Sequence, residues 1–131
     1  MGRAFSEDEK GAVETSIMEA GLLRFHSQGL RASRVEDICR DAGIAKGTFY
    51  VFFPSKEELF MRIGEAREQE HRAEMLEYLA SETGHKAVGG FFDMLMEKIE
   101  TDPVLHVVRV HGELPHLLRK LSPERLSESQ A

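Results

Sequence analysis

Residues 46–53 read KGTFYVFF. A lysine, a glycine, a threonine and a tyrosine stand within five positions, and four aromatics crowd positions 49–53. No general base or nucleophile is paired here, so the chemistry on offer is recognition. An ammonium neutralises phosphate or donates to guanine, and hydroxyls donate to phosphate oxygens. A glycine, Gly47, lets backbone approach backbone. Lys46, Gly47, Thr48 and Tyr50 thus make a candidate duplex-facing edge. The helix that carries them is too short to hold itself in water, so it must be clamped from behind, the role assigned to Phe49, Phe52 and Phe53.

The elements that position this edge are helical throughout, with no period-two β-branched run. A first helix starts at Ser6, where Ser6 and Glu9 form a capping box. Its apolar positions Val13, Ile17, Ala20 and Met18, Leu22, Phe25 recur at helical spacing, and Gly29 ends it. A second helix is expected from Ser33, capped by Ser33 and Glu36, with Val35, Ile38, Cys39 and Ala42 on one face and Gly43 after it. The third runs over about 45–52 and is stopped by Pro54. Two short helices joined by a glycine turn form a helix-turn-helix, whose second helix fits a major groove about 12 Å wide.

A long fourth helix starts at the Ser55/Glu58 box and runs to about Ala80, with Leu59, Ile63, Ala66, Ala73, Leu76 and Leu79 as its apolar stripe. A fifth spans about 86–101 with Val88, Phe91, Phe92, Leu95 and Ile99 inward. Asp102-Pro103 opens a sixth over 104–110. Gly112 and Pro115 punctuate the stretch after it, and Ser122-Pro123-Glu124 reads as a further helix start.

The chain has 131 residues and a formal net charge of −6. The sum does not advertise a nucleic-acid binder, but its distribution matters more. Basic and acidic residues balance over residues 1–56, and the acidic excess falls after Lys56. No apolar run approaches the roughly 20 residues of a membrane span. The single cysteine, Cys39, forms no internal disulfide. A reduced, cytoplasmic protein without membrane contact is the expectation.

The run Ser33–Phe60, SRVEDICRDAGIAKGTFYVFFPSKEELF, resembles the N-terminal domain of the TetR family of transcriptional regulators. The resemblance rests on Val35-x-Asp37-Ile38, on Ala42–Tyr50 and on Phe53–Leu59. Asp102–Leu121 is loosely similar to the sixth helix and following loop of members. The resemblance implies an all-α protein. Its three-helix helix-turn-helix domain (1–54) would join, through helix 4, a helical ligand-binding and dimerisation domain (55–131). It implies a homodimeric repressor that binds a palindromic double-stranded DNA operator and is released by a small apolar effector. Carried over by residue, the DNA-facing positions are Ser33, Arg34, Lys46, Gly47, Thr48, Tyr50, Val51 and Lys56. Val51 would meet a thymine methyl, and Lys56 would hold phosphate with the amides of Lys56 and Glu57. Ala45 departs from the family's usual capping serine. Members continue through further helices, so a piece of a longer regulator is expected.

Phe91, Phe92, Leu95 and Met96, with Met94, fit either a helical core or the wall of an apolar ligand pocket. Cys39 lies on a buried stripe and reads as a small core hydrophobe. His106, His111 and His116 recur at a spacing that does not converge on one metal. No Gly-rich phosphate loop, catalytic Ser-His-Asp set or metal-spaced Cys/His pair appears, so neither an enzyme nor a cofactor is expected. A helical protein-interaction module that lost DNA binding is the rival reading, motivated by the acidic total, Ala45 and Val51-Phe52.

Overall fold

Side-chain caps set two of the helix starts where the sequence pattern puts them. The Ser6 hydroxyl accepts from the Glu9 amide at 3.2 Å and opens α1 (Glu7–Gln28). The Ser55 hydroxyl accepts from the Glu58 amide at 3.1 Å and opens α4 (Lys56–Ser81). The computed structural model describes residues 5–121. Between α1 and α4 lie α2 (Val35–Ala42) and α3 (Lys46–Phe52), and α5 (His85–Thr101), α6 (Pro103–His111) and α7 (Leu114–Lys120) come after. No strand occurs among the described residues. The helix start expected at Ser122 lies outside them.

The second helix departs from expectation. It starts at Val35 with Arg34 as N-cap and no side-chain cap bond. Ser33 is fully buried, and its hydroxyl donates back to the Gly29 carbonyl at 2.7 Å. A Ser-x-x-Glu pattern serves a turn as readily as a cap, and here the turn takes the serine. α7 also departs from the pattern, in which Pro115 reads as punctuation. A proline in the first turn sacrifices only an amide that has no helical partner anyway.

One core runs through the chain. Ile17 and Phe25 of α1, Ile38 of α2, Phe49 of α3, Leu59 of α4 and Val107 of α6 are each completely buried. Leu117 and Leu121 join the same cluster. Phe25 meets Phe60 edge-on with ring centroids 5.8 Å apart, a favoured aromatic geometry. Cys39 lies in this core, and burial pushes its thiol pKa up, as the core-hydrophobe reading requires. The α4–α5 pair is looser. Val88, Phe92 and Ile99, expected inward, are exposed, as are Leu76 and Leu79 of the α4 stripe. The apolar face exists, but nothing in the described residues covers it.

Two glycines are demanded by geometry. Gly29 adopts φ +86°, and a Cβ there would stand 2.9 Å from Glu113 Oε1. Gly90 lets the Tyr78 ring pass, since a Cβ there would overlap its hydroxyl oxygen. That hydroxyl donates to the Lys86 carbonyl at 3.2 Å, pinning α5 to α4.

Ion pairs fix the seams. Arg24 grips Asp41 in two-pronged fashion, at 2.6 and 3.0 Å, joining α1 to α2. The hydrogen-bonded guanidinium holds the Asp41 carboxyl below the usual carboxylate range. Buried Asp102 caps α6 through the Val104 amide at 2.8 Å and accepts from Arg67 of α4 at 3.0 Å.

Three imidazoles meet where α6 crosses α1. His26 and His106 stack with centroids 4.3 Å apart, and His111 stands edge-on to His106 at 5.8 Å. Desolvation, then the neighbouring His26, His111 and Arg109, lowers the His106 pKa from its usual 6.5. Below that value the unfolded chain takes up a proton that the folded chain holds off. Stability therefore falls as pH falls through this window and levels off below the folded pKa. The melting temperature should drop as the pH is lowered through and below the ordinary histidine range, more steeply in the wild type than in His106→Gln. Parallel pH profiles of the two would show that the stack carries no such linkage.

Candidate nucleic-acid interface

α3 has seven residues, so packing rather than propensity must hold it. Phe49 is completely buried and Phe53 nearly so, with their centroids 5.9 Å apart. Phe52 is half-buried and tilts against Phe5 at 6.3 Å. This clamp turns the opposite side outward: Lys46, Gly47, Tyr50 and Val51 are exposed, and Thr48 is half-buried. Tyr50 lies edge-on to Phe49, centroids 5.2 Å apart, and is itself about half exposed.

Arg34, Tyr50 and Lys56 come from three different helices or their caps, and they line one open groove of about 340 Å³ with Arg31 and Glu36. Val51 points elsewhere, toward a second groove with Phe5, Lys10 and Glu14 of the N-terminal segment and α1. Exposure and neighbours divide the expected contacts in this way. Arg34, Lys46, Gly47 and Tyr50 share a surface. Thr48 is partly withdrawn, and Val51 lies at the margin.

Two of the expected contact residues carry bonds within the fold. The Ser33 hydroxyl is buried and committed to the Gly29 carbonyl, so it is not offered to a duplex. Lys56 donates its ammonium to the Arg31 carbonyl at 3.0 Å and the Ser33 carbonyl at 2.7 Å. It fastens the α1–α2 turn to the start of α4 and lines the same groove as Arg34 and Tyr50. The turn is held from the other side too. Glu113, only 3% exposed, accepts from the Leu30 amide at 3.0 Å, the Arg31 amide at 3.3 Å and the Arg31 guanidinium at 3.1 Å. Nothing local in the sequence signals this clasp, because its partners stand 82 and 83 residues away.

Glu36 belongs to this surface too, although its sequence pattern assigns it only to a cap. Its carboxylate lies 2.6 Å from the Lys46 ammonium and 3.9 Å from Arg34 Nε. The hydrogen bond to Lys46 lowers the Glu36 pKa and raises that of Lys46, so the pair is ionised at neutral pH.

The expected ligand wall is corrected in part. Phe92 and Met96 are 57% and 52% exposed and face out, and Leu95 is half-buried. Phe91 alone of the four lines a groove of about 370 Å³, with Met75, Leu76 and Leu79 of α4 and with His71 and Arg72 at its margin. Among the described residues no group of three His, Cys, Asp or Glu could hold a metal ion, and no helix is long and apolar enough to cross a membrane.

The α2–turn–α3 unit, clamped by aromatics and presenting Lys46 and Tyr50, defines a helix-turn-helix protein. Residues 17–63 match the family model described as bacterial regulatory proteins, tetR family. The chain is 40% identical over 48 residues to the uncharacterised HTH-type transcriptional regulator YuxN of Bacillus subtilis (strain 168), covering 37% of this chain and 16% of that one. It is 24% identical over 97 residues to a second uncharacterised HTH-type regulator of that organism, YfiR, covering 74% and 47%. A solved structure described as the molecular basis for control of antibiotic production by bacterial hormones superposes with a TM-score of 0.67 at 27% identity, over 90% of this chain and 61% of the other. The chain thus spans less than half the length of these two curated relatives.

Proposed function

We propose that the chain is the DNA-reading part of a transcriptional regulator, a repressor that binds a palindromic duplex as a homodimer and is released by a small apolar effector. The observation that carries this reading is the aromatic clamp behind α3. It spends Phe49 and Phe53 on burial and leaves Lys46 and Tyr50 exposed beside Arg34. A helix so held can enter a major groove without losing its own packing. The family-model match over residues 17–63 supports the DNA partner, and a two-fold dimer fits palindromic half-sites. The α4–α5 groove supports the effector, since its apolar walls and volume fall in the small-molecule range of roughly 300–1,000 Å³. The hormone-related neighbour supports control by a chemical signal.

The test is selection of bound DNA from a random duplex library, followed by titration of the selected site at several salt concentrations. Lys46→Ala should weaken binding and flatten the log–log salt slope by about 0.9, the contribution of one phosphate. A slope identical to wild type would remove Lys46 from the phosphate contacts. No enrichment by the wild-type protein would favour the interaction-module reading instead.

A further inference from the structure

The cations of the proposed DNA face are already engaged. Arg31 pairs with Glu113 at 3.1 Å, and Lys56 with two turn carbonyls. Glu36 alone serves two of them, Lys46 on one carboxylate oxygen and Arg34 on the other. Binding to DNA is therefore an exchange of partners on this surface rather than a simple gain of them.

We propose that Glu36 is a specificity-determining residue, an anionic guard that withholds Lys46 from phosphates the protein meets at random and yields it at a matched site. The inference rests on the DNA-binding reading and adds a role for a residue which that reading leaves unused. Its ground is geometric. A carboxylate at 2.6 Å from the leading lysine of the recognition helix, itself 46% exposed on the same surface, meets the backbone anions of any duplex that Lys46 approaches.

Non-specific binding comes almost wholly from phosphate neutralisation. An acid beside Lys46 cancels part of that attraction and repels the backbone. At a matched site, base-edge hydrogen bonds offset the loss of the ion pair, and the released carboxylate can accept from a cytosine amino group in the major groove. Random sequence offers no such return. The guard therefore costs more affinity on random DNA than on the operator, and the ratio of the two widens. A purely structural role for the pair is a weak alternative, because exposed ion pairs contribute little to folding stability.

The experiment is Glu36→Gln in the full chain, titrated against a random duplex and against the selected operator at salt concentrations from about 50 to about 200 mM, alone and combined with Lys46→Ala. On the random duplex the variant should bind at least about threefold tighter at the lowest salt, with a salt slope steeper by about 0.9, the mark of one more phosphate contact. Operator affinity should gain less, so the specificity ratio falls, while the melting temperature stays put. The effect should shrink to the carboxylate's direct repulsion, with no change of salt slope, when Lys46 is already alanine. Unchanged random-duplex affinity and slope in Glu36→Gln would overturn the proposal while leaving DNA binding intact. An undiminished effect in the Lys46→Ala background would overturn it as well, since the carboxylate would then act without the lysine. If neither protein retains any duplex, the DNA-binding reading itself fails and the guard with it.

Discussion

Phe49→Ala should remove about 3–5 kcal/mol of folding stability, the cost of deleting a fully enclosed phenyl ring, and lower the melting temperature by roughly 10–20 °C for a chain of this size. Phe49 is completely buried between Tyr50 and Phe53, so the cavity left behind lies directly under α3. The loss is a large share of the roughly 5–15 kcal/mol that holds an ordinary domain together. Because α3 has only seven residues and no side-chain cap, it has little reserve of its own. Duplex binding should disappear even at temperatures where the rest of the protein is folded. Phe52→Ala provides the contrast: that ring is half-buried, and its loss should cost clearly less. Thermal melts by circular dichroism, paired with a duplex titration, check both. Equal destabilisation by the two substitutions would contradict the clamp as drawn.

Glu113→Ala should destabilise by about 3 kcal/mol, because the Leu30 and Arg31 amides lose their acceptor in a place where water cannot easily replace it. Glu113→Gln should do less harm, since an amide oxygen still accepts from backbone. The two variants also separate a structural effect from a positional one. The turn that Glu113 holds ends in Arg34, which stands at the N-cap of α2 and lines the groove proposed to face the duplex. Loosening it should speed amide exchange at Leu30 and Arg31 and weaken duplex binding in Glu113→Gln beyond what the fall in stability explains. Exchange at those two amides as slow as in wild type would show that the clasp is not what orders the turn.

The features legible in the sequence and those hidden from it divide by range. Helix starts at Ser6, Ser55 and Asp102 are readable because a cap and its amide lie within three residues of one another. The helix-turn-helix is readable because its apolar spacing, glycine turn and aromatic triplet fall within one short run. Ser33 misleads, because one local pattern serves two local structures and only the Gly29 carbonyl decides between them. The bonds that Lys56 makes within the fold are not legible, because the carbonyls it reaches belong to a turn more than 20 residues earlier. Glu36 reads as a cap and not as the partner of Lys46, ten residues on, since periodicity within a helix says nothing of what crosses to the next. The α5 stripe is apolar as its spacing predicts, but only Phe91 and Leu95 of it are half-buried, while Val88, Phe92 and Ile99 are exposed. Periodicity finds a face, and it takes the rest of the fold to say whether that face is covered.

The core that joins Ile17, Leu30 and Phe49 to Val107, Leu117 and Leu121 bears on how such proteins are recombined. A reading head that shares its hydrophobic interior with the helices behind it is not a detachable cartridge. Transplanting residues 1–54 onto the body of another helix-turn-helix protein would leave Ile17 and Leu30 facing a foreign surface, and Gly29 facing whatever replaced Glu113. A workable hybrid would have to carry the α6–α7 segment along with the head, so the unit of exchange is discontinuous in the chain although contiguous in space.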